Sequence, residues 1–223
     1  MKPVLAFDLN GTLTDTSALD PFFQEIFSSA DRRREWFEQL IQLAMLVTIT
    51  GYFEPFGKLG QAALQMVGER HNVIITDAQK QQLTEQVQAL LFFPDVEPGL
   101  KRLHDAGFRL AVLTNSGKSV AEQTLEHNGV PHLFEKVLSV EMVQVYKPSP
   151  LVYRTAAREL GVTPSEMMLV AAHSFDTTGA IRAGCDAAFV ERPGEALDAS
   201  GPTPRIIARD FEHLADQLLL AES

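Results

Sequence analysis

An apolar stretch near the start of the chain, VLAF, ends on the carboxylate of Asp8, and the turn that follows contains Asn10, Gly11 and Thr12. A buried lone carboxylate is costly unless hydrogen-bond donors or a cation surround it. Gly11 lets the backbone turn, and Thr12 offers a hydroxyl donor. An ionised carboxylate in this place is a candidate nucleophile for covalent catalysis, although an isolated Asp after a strand more often caps the next turn. The assignment therefore depends on what else reaches Asp8.

Three later segments also pass from an apolar stretch into polar residues. They contribute Thr114 and Asn115 in AVLTNSG, Lys147 and Tyr153 in VYKPSPLVY, and His173 and Asp176 in LVAAHSFDTTGA. The carboxyl ends of parallel strands lie at one edge of a sheet, so we expect these side chains to converge on Asp8. A nucleophilic carboxylate, neutral donors, one lysine and a second carboxylate suit covalent catalysis through an aspartyl intermediate.

The elements that must position these groups alternate along the chain from Leu100 onward. The apolar stretches of strand length are FRLAVLT, KVLSV, MMLVAA, AAFVE and RIIA, and the helical patterns between or after them include SVAEQTLEHNG, SPLVYRTAARELG, DTTGAIRAG and FEHLADQLLL. Continuous apolar strands that alternate with helices predict an α/β fold with a parallel sheet covered on both faces.

The segment between the first strand and this alternation is almost entirely helical in pattern. TDAQ (76–79) is a capping box that opens a helix running to about Leu91, and FFPDVEPG (92–99) indicates a turn-rich return to the sheet. We predict a core formed by residues 1–15 and 92–223, with a helical cap of residues 16–91 inserted after the first strand. The cap would lie over the carboxyl end of that strand, where open α/β sheets bind ligands.

The composition excludes several classes of function. The formal net charge of −10 argues against a nucleic-acid partner, because phosphate binding relies on Lys and Arg. No apolar stretch is long enough to span a bilayer, and the single cysteine, Cys185, allows neither an intrachain disulfide nor a cysteine metal cluster. The Met-Lys-Pro start does not look like a signal peptide. We expect a cytoplasmic protein with no membrane partner.

The order of these motifs resembles the haloacid dehalogenase-like hydrolase superfamily over nearly the whole chain. The matching segments are DLNGTLTD, LTNS, YKPSP and AAHSFDTTGA, and the helical insertion is similar to the cap of the subfamily that includes the L-2-haloacid dehalogenases. The resemblance implies a Rossmann-like core. It also implies that Asp8 attacks the halogen-bearing carbon of a small 2-haloalkanoic acid, expels halide and forms an ester, which a water held by Asp176 then cleaves.

The resemblance also assigns roles to single residues of this sequence. It implies catalytic roles for Asp8, Thr12, Lys147 and Asp176, and substrate-binding roles for Asn10, Thr114, Asn115, Tyr153, His173 and Phe37. Two positions depart from the dehalogenase pattern most clearly: Phe37 stands where the family carries an essential Arg, and His173 where it carries Asn. Arg34, one helical turn earlier, is a possible substitute for that Arg, and His173 could donate to a carboxylate or a leaving anion.

The same comparison argues against a bound metal. Most superfamily members are Mg²⁺-dependent phosphatases with a second Asp two residues after the nucleophile, where this chain has Asn10. Their fourth motif carries a metal-binding Asp where this chain has Ala172 or His173. We therefore expect no metal and no other cofactor, because Mg²⁺ prefers carboxylate and water oxygens.

Two alternatives remain open on the sequence alone. One is a Mg²⁺-dependent phosphatase of the same superfamily, and the other is a relative that binds a ligand without turnover. In each case the expected partner is a small anionic organic molecule. An apolar cap helix also makes a homodimer through the cap plausible.

Overall fold

A computed structural model describes residues 2–221, and its centre is a six-stranded, fully parallel sheet. The strands are β1 Val4–Phe7, β2 Leu110–Thr114, β3 Lys136–Ser139, β4 Met167–Ala171, β5 Asp186–Val190 and β6 Ile206–Ala208. Their spatial order is β3-β2-β1-β4-β5-β6. The order reverses between β1 and β4, which is where open α/β sheets form a ligand crevice. The predicted Rossmann-like α/β fold is confirmed.

Helices cover both faces of this sheet. In chain order they are α1 Asp20–Phe27, α2 Arg32–Thr50, α3 Phe56–Arg70, α4 Asp77–Gln88, α5 Val96–Asp105, α6 Lys118–His127, α7 Pro150–Glu159, α8 Ser174–Ala183 and α9 Phe211–Leu220. None of the helices within residues 2–221 is both long enough and apolar enough to cross a bilayer.

The continuous apolar sequence of the central strands follows from burial on both faces. In β1, Val4 and Ala6 pack with α7, α8 and the helices of the insertion, whereas Leu5 and Phe7 pack with α5, α6 and α9. β1, β2 and β4 are buried along their whole length. The sheet is therefore a rigid support for whatever follows its strand ends.

The helices α1 to α4 form a single excursion between β1 and α5. The chain leaves and returns side by side, because the amide of Asp15 donates to the carbonyl of Leu91 at 2.8 Å and that of Phe93 donates to Leu13 at 2.9 Å. Within the excursion, Trp36 Nε1 donates to the carbonyl of Gly60 at 2.8 Å and ties α2 to α3. This arrangement agrees with the expected position of a cap; the division into two domains at residues 15/16 and 91/92 remains a prediction.

The segment 92–99 differs from its predicted turn-rich character, because its second half is the first turn of α5. Pro98 is tolerated there, since the first turn of a helix needs no amide donors. Gly99 is needed for packing: a Cβ at this position would lie 2.7 Å from Phe211 on α9. Proline and glycine here mark a helix start and a close helix contact rather than a loop.

Candidate active site

Asp8 lies directly after β1, at the point where the strand order reverses, and is 6% exposed. The hydroxyl of Thr12 donates to its Oδ2 at 2.7 Å. The amide of Ala172, after β4, donates in turn to the Thr12 oxygen at 3.0 Å, which leaves the hydroxyl proton for Asp8. Gly11 has a φ of +78°, and a Cβ there would lie 3.0 Å from the ring of His173. A tight glycine turn thus folds the donors back over the carboxylate.

Lys147 is the cation that the sequence predicted next to Asp8. Its Nζ donates to Asp8 Oδ1 at 2.7 Å, to Asp176 Oδ2 at 2.6 Å and to the carbonyl of Leu113 at 3.0 Å. All three ammonium donors are therefore used, as a side chain only 1% exposed requires. Burial disfavours the charge, but the two carboxylates outweigh burial and raise the pKa of Lys147.

Asp8 is held in its ionised form by the same contacts. Burial alone would raise the pKa of this carboxyl group, yet the charge of Lys147 and the hydrogen bond and charge of His173 lower it well below its usual range. Asp8 is thus a carboxylate at neutral pH, which a nucleophile must be.

Asp176 lies behind Lys147 and not against the space in front of Asp8. It is fully buried, and its Oδ1 accepts from the hydroxyl of Tyr153 at 2.6 Å while Oδ2 accepts from Lys147. Burial raises the pKa of both Asp176 and Tyr153. Neither Asp176 nor Tyr153 lines the space in front of Asp8, and the expected roles of Asp176 with the hydrolytic water and of Tyr153 with substrate stay predictions. The sequence places both near the strand ends but does not tell which side of the lysine they occupy.

His173 is the N-cap residue of α8 and faces Asp8 from the loop that follows β4. Its Nδ1 lies 3.3 Å from Asp8 Oδ2, and its ring stacks on those of Phe37 and Phe175 at centroid distances of 5.1 and 5.4 Å. Burial lowers the pKa of the imidazole, but the hydrogen bond to Asp8 and the charges of Asp8, Glu195 and Asp176 outweigh burial and raise it.

The predicted amide and hydroxyl donors follow β1 and β2 at the same edge. Asn10 Nδ2 donates to Ser116 Oγ at 2.8 Å, and the amide of Ser116 donates to Thr114 Oγ1 at 3.0 Å. The side-chain oxygen of Asn115 accepts from the backbone amide of Lys147 at 3.1 Å. The structure therefore brings Asn10, Thr114 and Asn115 to the crevice, each oriented by a neighbour.

The space in front of Asp8, here called the nucleophile cavity, has a volume of only about 10 Å³. Its walls are Asp8, Asn10, Phe37, Ile41, Phe56, Thr114, Asn115, His173 and Phe175. This volume is close to that of one water-sized probe, so a bound organic acid requires the walls to move. Four of the nine lining side chains, those of Phe37, Ile41, Phe56 and Phe175, are apolar, and a closed form of this kind excludes water.

Phe37 separates the nucleophile cavity from two larger ones. The polar cavity, of about 130 Å³, is shared with His173, Arg34 and Glu195, and the apolar cavity, of about 90 Å³, is lined mainly by helices of the insertion. Phe37 lines all three cavities. Arg34 lines only the polar cavity, with its guanidinium against Gly194, and does not reach the walls of the nucleophile cavity.

The donor set at Asp8 does not fit a divalent ion. The ammonium of Lys147 already pairs with both Asp8 and Asp176, and the amide of Asn10 offers no further charge. Within residues 2–221 there is no group of three or more His, Cys, Asp and Glu side chains arranged to hold a metal ion. Lysine supplies the positive charge of this site.

Sequence reasoning missed several residues of the crevice. Ile41 and Phe56 come from the insertion, and Phe175 follows His173. Glu195, in the loop after β5, was also missed, although it follows a strand just as Asp8 and His173 do. The rule of strand ends points to the loop that carries Glu195; the apolar walls carry no such signal.

A parallel sheet with an Asp–Lys–Asp network at its switch point, covered by helices inserted after β1, defines a Rossmann-like α/β protein whose crevice centres on a buried aspartate paired with a lysine. The chain belongs to the haloacid dehalogenase-like hydrolase family, whose family model matches residues 5–190.

Several relatives share most of this chain. An (S)-2-haloacid dehalogenase from Pseudomonas sp. strain YL is 30% identical over 90% of this chain and 87% of its own length. An (S)-2-haloacid dehalogenase from Pseudomonas putida is 27% identical over 98% of this chain and all of its own. The solved L-2-haloacid dehalogenase from Xanthobacter autotrophicus, with chloropropionic acid covalently bound, has a TM-score of 0.90 at 20% identity and covers 100% of both chains. This last likeness shows the fold alone.

Proposed function

We propose that this chain is a 2-haloacid dehalogenase, a hydrolase that cleaves the carbon–halide bond of a small 2-haloalkanoic acid through an ester on Asp8. The observation that carries the proposal is the lysine bridge: one buried ammonium holds Asp8 ionised where a metal-dependent relative would need a cation site. The (S)-2-haloacid dehalogenases among its relatives support the same conclusion.

In the first half-reaction an oxygen of Asp8 attacks the halogen-bearing carbon, the carbon–halide bond breaks, and the halide leaves with the bonding electrons. A halide ion needs no proton as it departs. The amide of Asn10, which cannot act as an acid, is therefore no handicap to this reaction, whereas it would deprive a phosphate ester of its acid for the leaving oxygen. This difference favours the dehalogenase over the phosphatase.

The polar walls suit the carboxylate of the substrate. In this proposal Thr114, Asn115 and Asn10 hold it so that carbon two faces Asp8, which is a positioning effect. Lys147 and Thr12 keep the nucleophile in place. Tyr153 and Asp176 act through Lys147 and are positioning residues. Phe37 closes the cavity, and its displacement would join the nucleophile cavity to the polar cavity and admit the acid.

The test is halide release from 2-chloropropionate and chloroacetate, with and without a chelator, beside a panel of phosphate esters with and without Mg²⁺. We expect halide release that the chelator leaves unchanged, and a transient gain in protein mass equal to the mass of the substrate acid less hydrogen halide. Asp8→Asn should abolish both. Asp77→Asn, on the exposed first turn of α4, is the matched control and should behave as wild type.

Phosphate release that depends on Mg²⁺ would instead assign the phosphatase. Binding of 2-haloacids without halide release or a mass gain would assign a ligand-binding relative. Either result would contradict the proposal.

Two finer expectations belong to the same proposal. Leu46, Ile49 and Tyr52 are exposed at the end of α2 and support a homodimer through the cap. If so, Ile49→Lys should halve the mass of the particle in light scattering. The composition also supports a cytoplasmic protein that acts on small anions and not on nucleic acid or membranes.

A further inference from the structure

His173 stands between the nucleophile and a second carboxylate that the proposed reaction does not otherwise use. Its Nδ1 lies 3.3 Å from Asp8 Oδ2, and its Nε2 lies 3.9 Å from Glu195 Oε1. Phe37 and Phe175 both stack on the ring, and Gly11 leaves room beside it. The imidazole is thus fixed with one nitrogen toward Asp8 and the other toward a partly exposed acid.

We propose that His173 is the general base that activates the hydrolytic water in the second half-reaction, with Glu195 as its positioning residue. The inference rests on the proposed function, since it needs an ester on Asp8. A water that attacks the carboxyl carbon of Asp8 comes within about 3 Å of that carbon. His173 Nδ1 is already 3.3 Å from an oxygen on it, so the nitrogen lies within reach of the water proton.

Asp176 is poorly placed for this role. Both of its oxygens accept hydrogen bonds, from Lys147 and Tyr153, and it does not line the nucleophile cavity. His173 lines both the nucleophile cavity and the polar cavity. It therefore connects the reacting carbon to a place where a proton can leave.

The charge of Asp8 sets the proton state of His173. Beside the ionised nucleophile the imidazolium is favoured, and its Nδ1–H donates to Asp8. Formation of the ester removes that negative charge, so the imidazolium loses its strongest partner and gives up its Nδ1 proton to the solvent, while Nε2–H stays directed at Glu195. The neutral ring is then ready to act as a base.

Protons and bonds balance over the second half-reaction. The water oxygen bonds to the Asp8 carboxyl carbon while Nδ1 takes one water proton. The bond from that carbon to the ester oxygen, which Asp8 contributed, then breaks, and Nδ1–H returns the proton to this leaving oxygen, which gives a 2-hydroxy acid. The new carboxyl group of Asp8 finally ionises and protonates His173, which restores the starting pair.

Other charged groups surround the His173 ring and also affect its protonation. Asp176 lies on the same helix, and Lys147 contacts Asp8 from the far side. The charged residues that share the polar cavity with His173 and Glu195 are Asp15, Arg33, Arg34 and Arg192. Arg33 is paired with Asp20 and Arg192 with Asp95, so Glu195 is the carboxylate within 4 Å of Nε2.

The experiment is a single-turnover reaction of the full-length protein with 2-chloropropionate, followed by halide assay and intact mass. In His173→Asn we expect a stoichiometric burst of halide, an accumulated adduct, and ester hydrolysis slowed by about 100- to 10,000-fold. His132→Asn, the same substitution at an exposed site before β3, is the control and should hydrolyse the ester as wild type does. A purely structural role for His173 would not make the adduct accumulate.

Glu195→Gln gives an independent measurement at an exposed position, should His173→Asn fail to fold. Loss of the Glu195 charge should lower the pKa of His173 and move the acid limb of ester hydrolysis to lower pH. An unmoved limb, or hydrolysis at the wild-type rate in His173→Asn, would overturn the role of His173 alone. Wild-type protein that gains no adduct and releases no halide would overturn the proposed function itself.

Discussion

At the scale of single residues, the site is a network in which each charge depends on its neighbour. Lys147 is shared between Asp8 and Asp176, and Asp8 is shared between Lys147 and His173. Buried charges of this kind are tolerated only when paired and hydrogen-bonded. Any reaction that changes the charge of Asp8 must therefore change the proton affinity of its partners.

That dependence gives a prediction for Asp8→Asn in the absence of substrate. The neutral amide copies the charge of the ester, so we expect the pKa of His173 to fall relative to wild type, where Asp8 raises it. NMR titration of the His173 ring protons would measure the shift. Equal pKa values in the two proteins would contradict the coupling.

The same pair also affects stability, and its sign follows from the direction of the shift. The pKa of His173 is higher in the folded chain than its ordinary value of about 6.5, so the pair stabilises the fold below that pH. The contribution is lost as the pH rises through the folded value. In Asp8→Asn the free energy of unfolding should depend less on pH across this window.

Residue types and their order after strands were enough to predict Asp8, Thr12, Lys147 and His173 at one sheet edge. They could not predict that Asp176 faces away from the cavity, because a strand end fixes where a side chain begins and not which neighbour it meets. The rule of strand ends points to the loop after β5, but the contact of Glu195 with His173 depends on the path of that loop over the crevice, which tertiary packing decides. The order of charged residues after strands can be read from the local sequence, whereas the walls of a cavity depend on contacts between distant segments.

At the scale of elements, the helical insertion supplies the apolar walls and its helices owe their close packing to small residues. Two glycines of α3 have opposite surroundings. A Cβ on Gly60 would lie 3.6 Å from Trp36, an ordinary contact, whereas a Cβ on Gly68 would lie 2.5 Å from Ile75 and 2.8 Å from the carbonyl of Val73. The second site has no room for a methyl group beside a backbone atom.

We therefore predict that Gly60→Ala and Gly68→Ala change stability in opposite directions. Gly60→Ala should stabilise the protein by about 0.5–1 kcal/mol, because alanine is the better helix former. Gly68→Ala should destabilise it by about 1–3 kcal/mol through overpacking. Urea unfolding of the two variants beside wild type measures both, and stabilisation by Gly68→Ala would contradict the packing described for α3.

The pattern of elements could be predicted better than their ends. Alternating apolar strands and helices predicted the sheet, and the Thr76 capping box predicted α4, which the structure shows with both of its hydrogen bonds. The first turn of α5 was missed because Pro98 and Gly99 are typical of turns. Only the neighbouring helix α9 explains a glycine at that place.

At the scale of the whole molecule, the cap helices and one face of the sheet share a single apolar cluster. Hydrogen bonds reinforce it next to the site. Tyr146, adjacent to Lys147, donates its hydroxyl to the carbonyl of Glu54 at 2.6 Å and its amide to Thr48 Oγ1 at 2.9 Å. The lysine that holds the nucleophile is thus one residue away from an anchor for the cap.

We predict that the cap and the core unfold together. Trp36 is the only tryptophan of the chain and lies in α2, so its fluorescence reports on the cap, while circular dichroism reports on all helices. The two signals should give the same midpoint and slope in urea. An earlier fluorescence transition would show instead that the cap unfolds as a separate domain.

The paired backbone at Thr14 and Phe92 brings the two ends of the long excursion to neighbouring points. In the topology of the sheet this excursion counts as a single surface loop. Such a loop can be lengthened, shortened or exchanged without a change in the order of the strands. A replacement segment would still need an apolar surface to cover the face of the core that the present insertion buries. The fold therefore allows the inserted helices to be exchanged while the sheet and Asp8 stay in place. Each new insertion would determine which molecules reach Asp8.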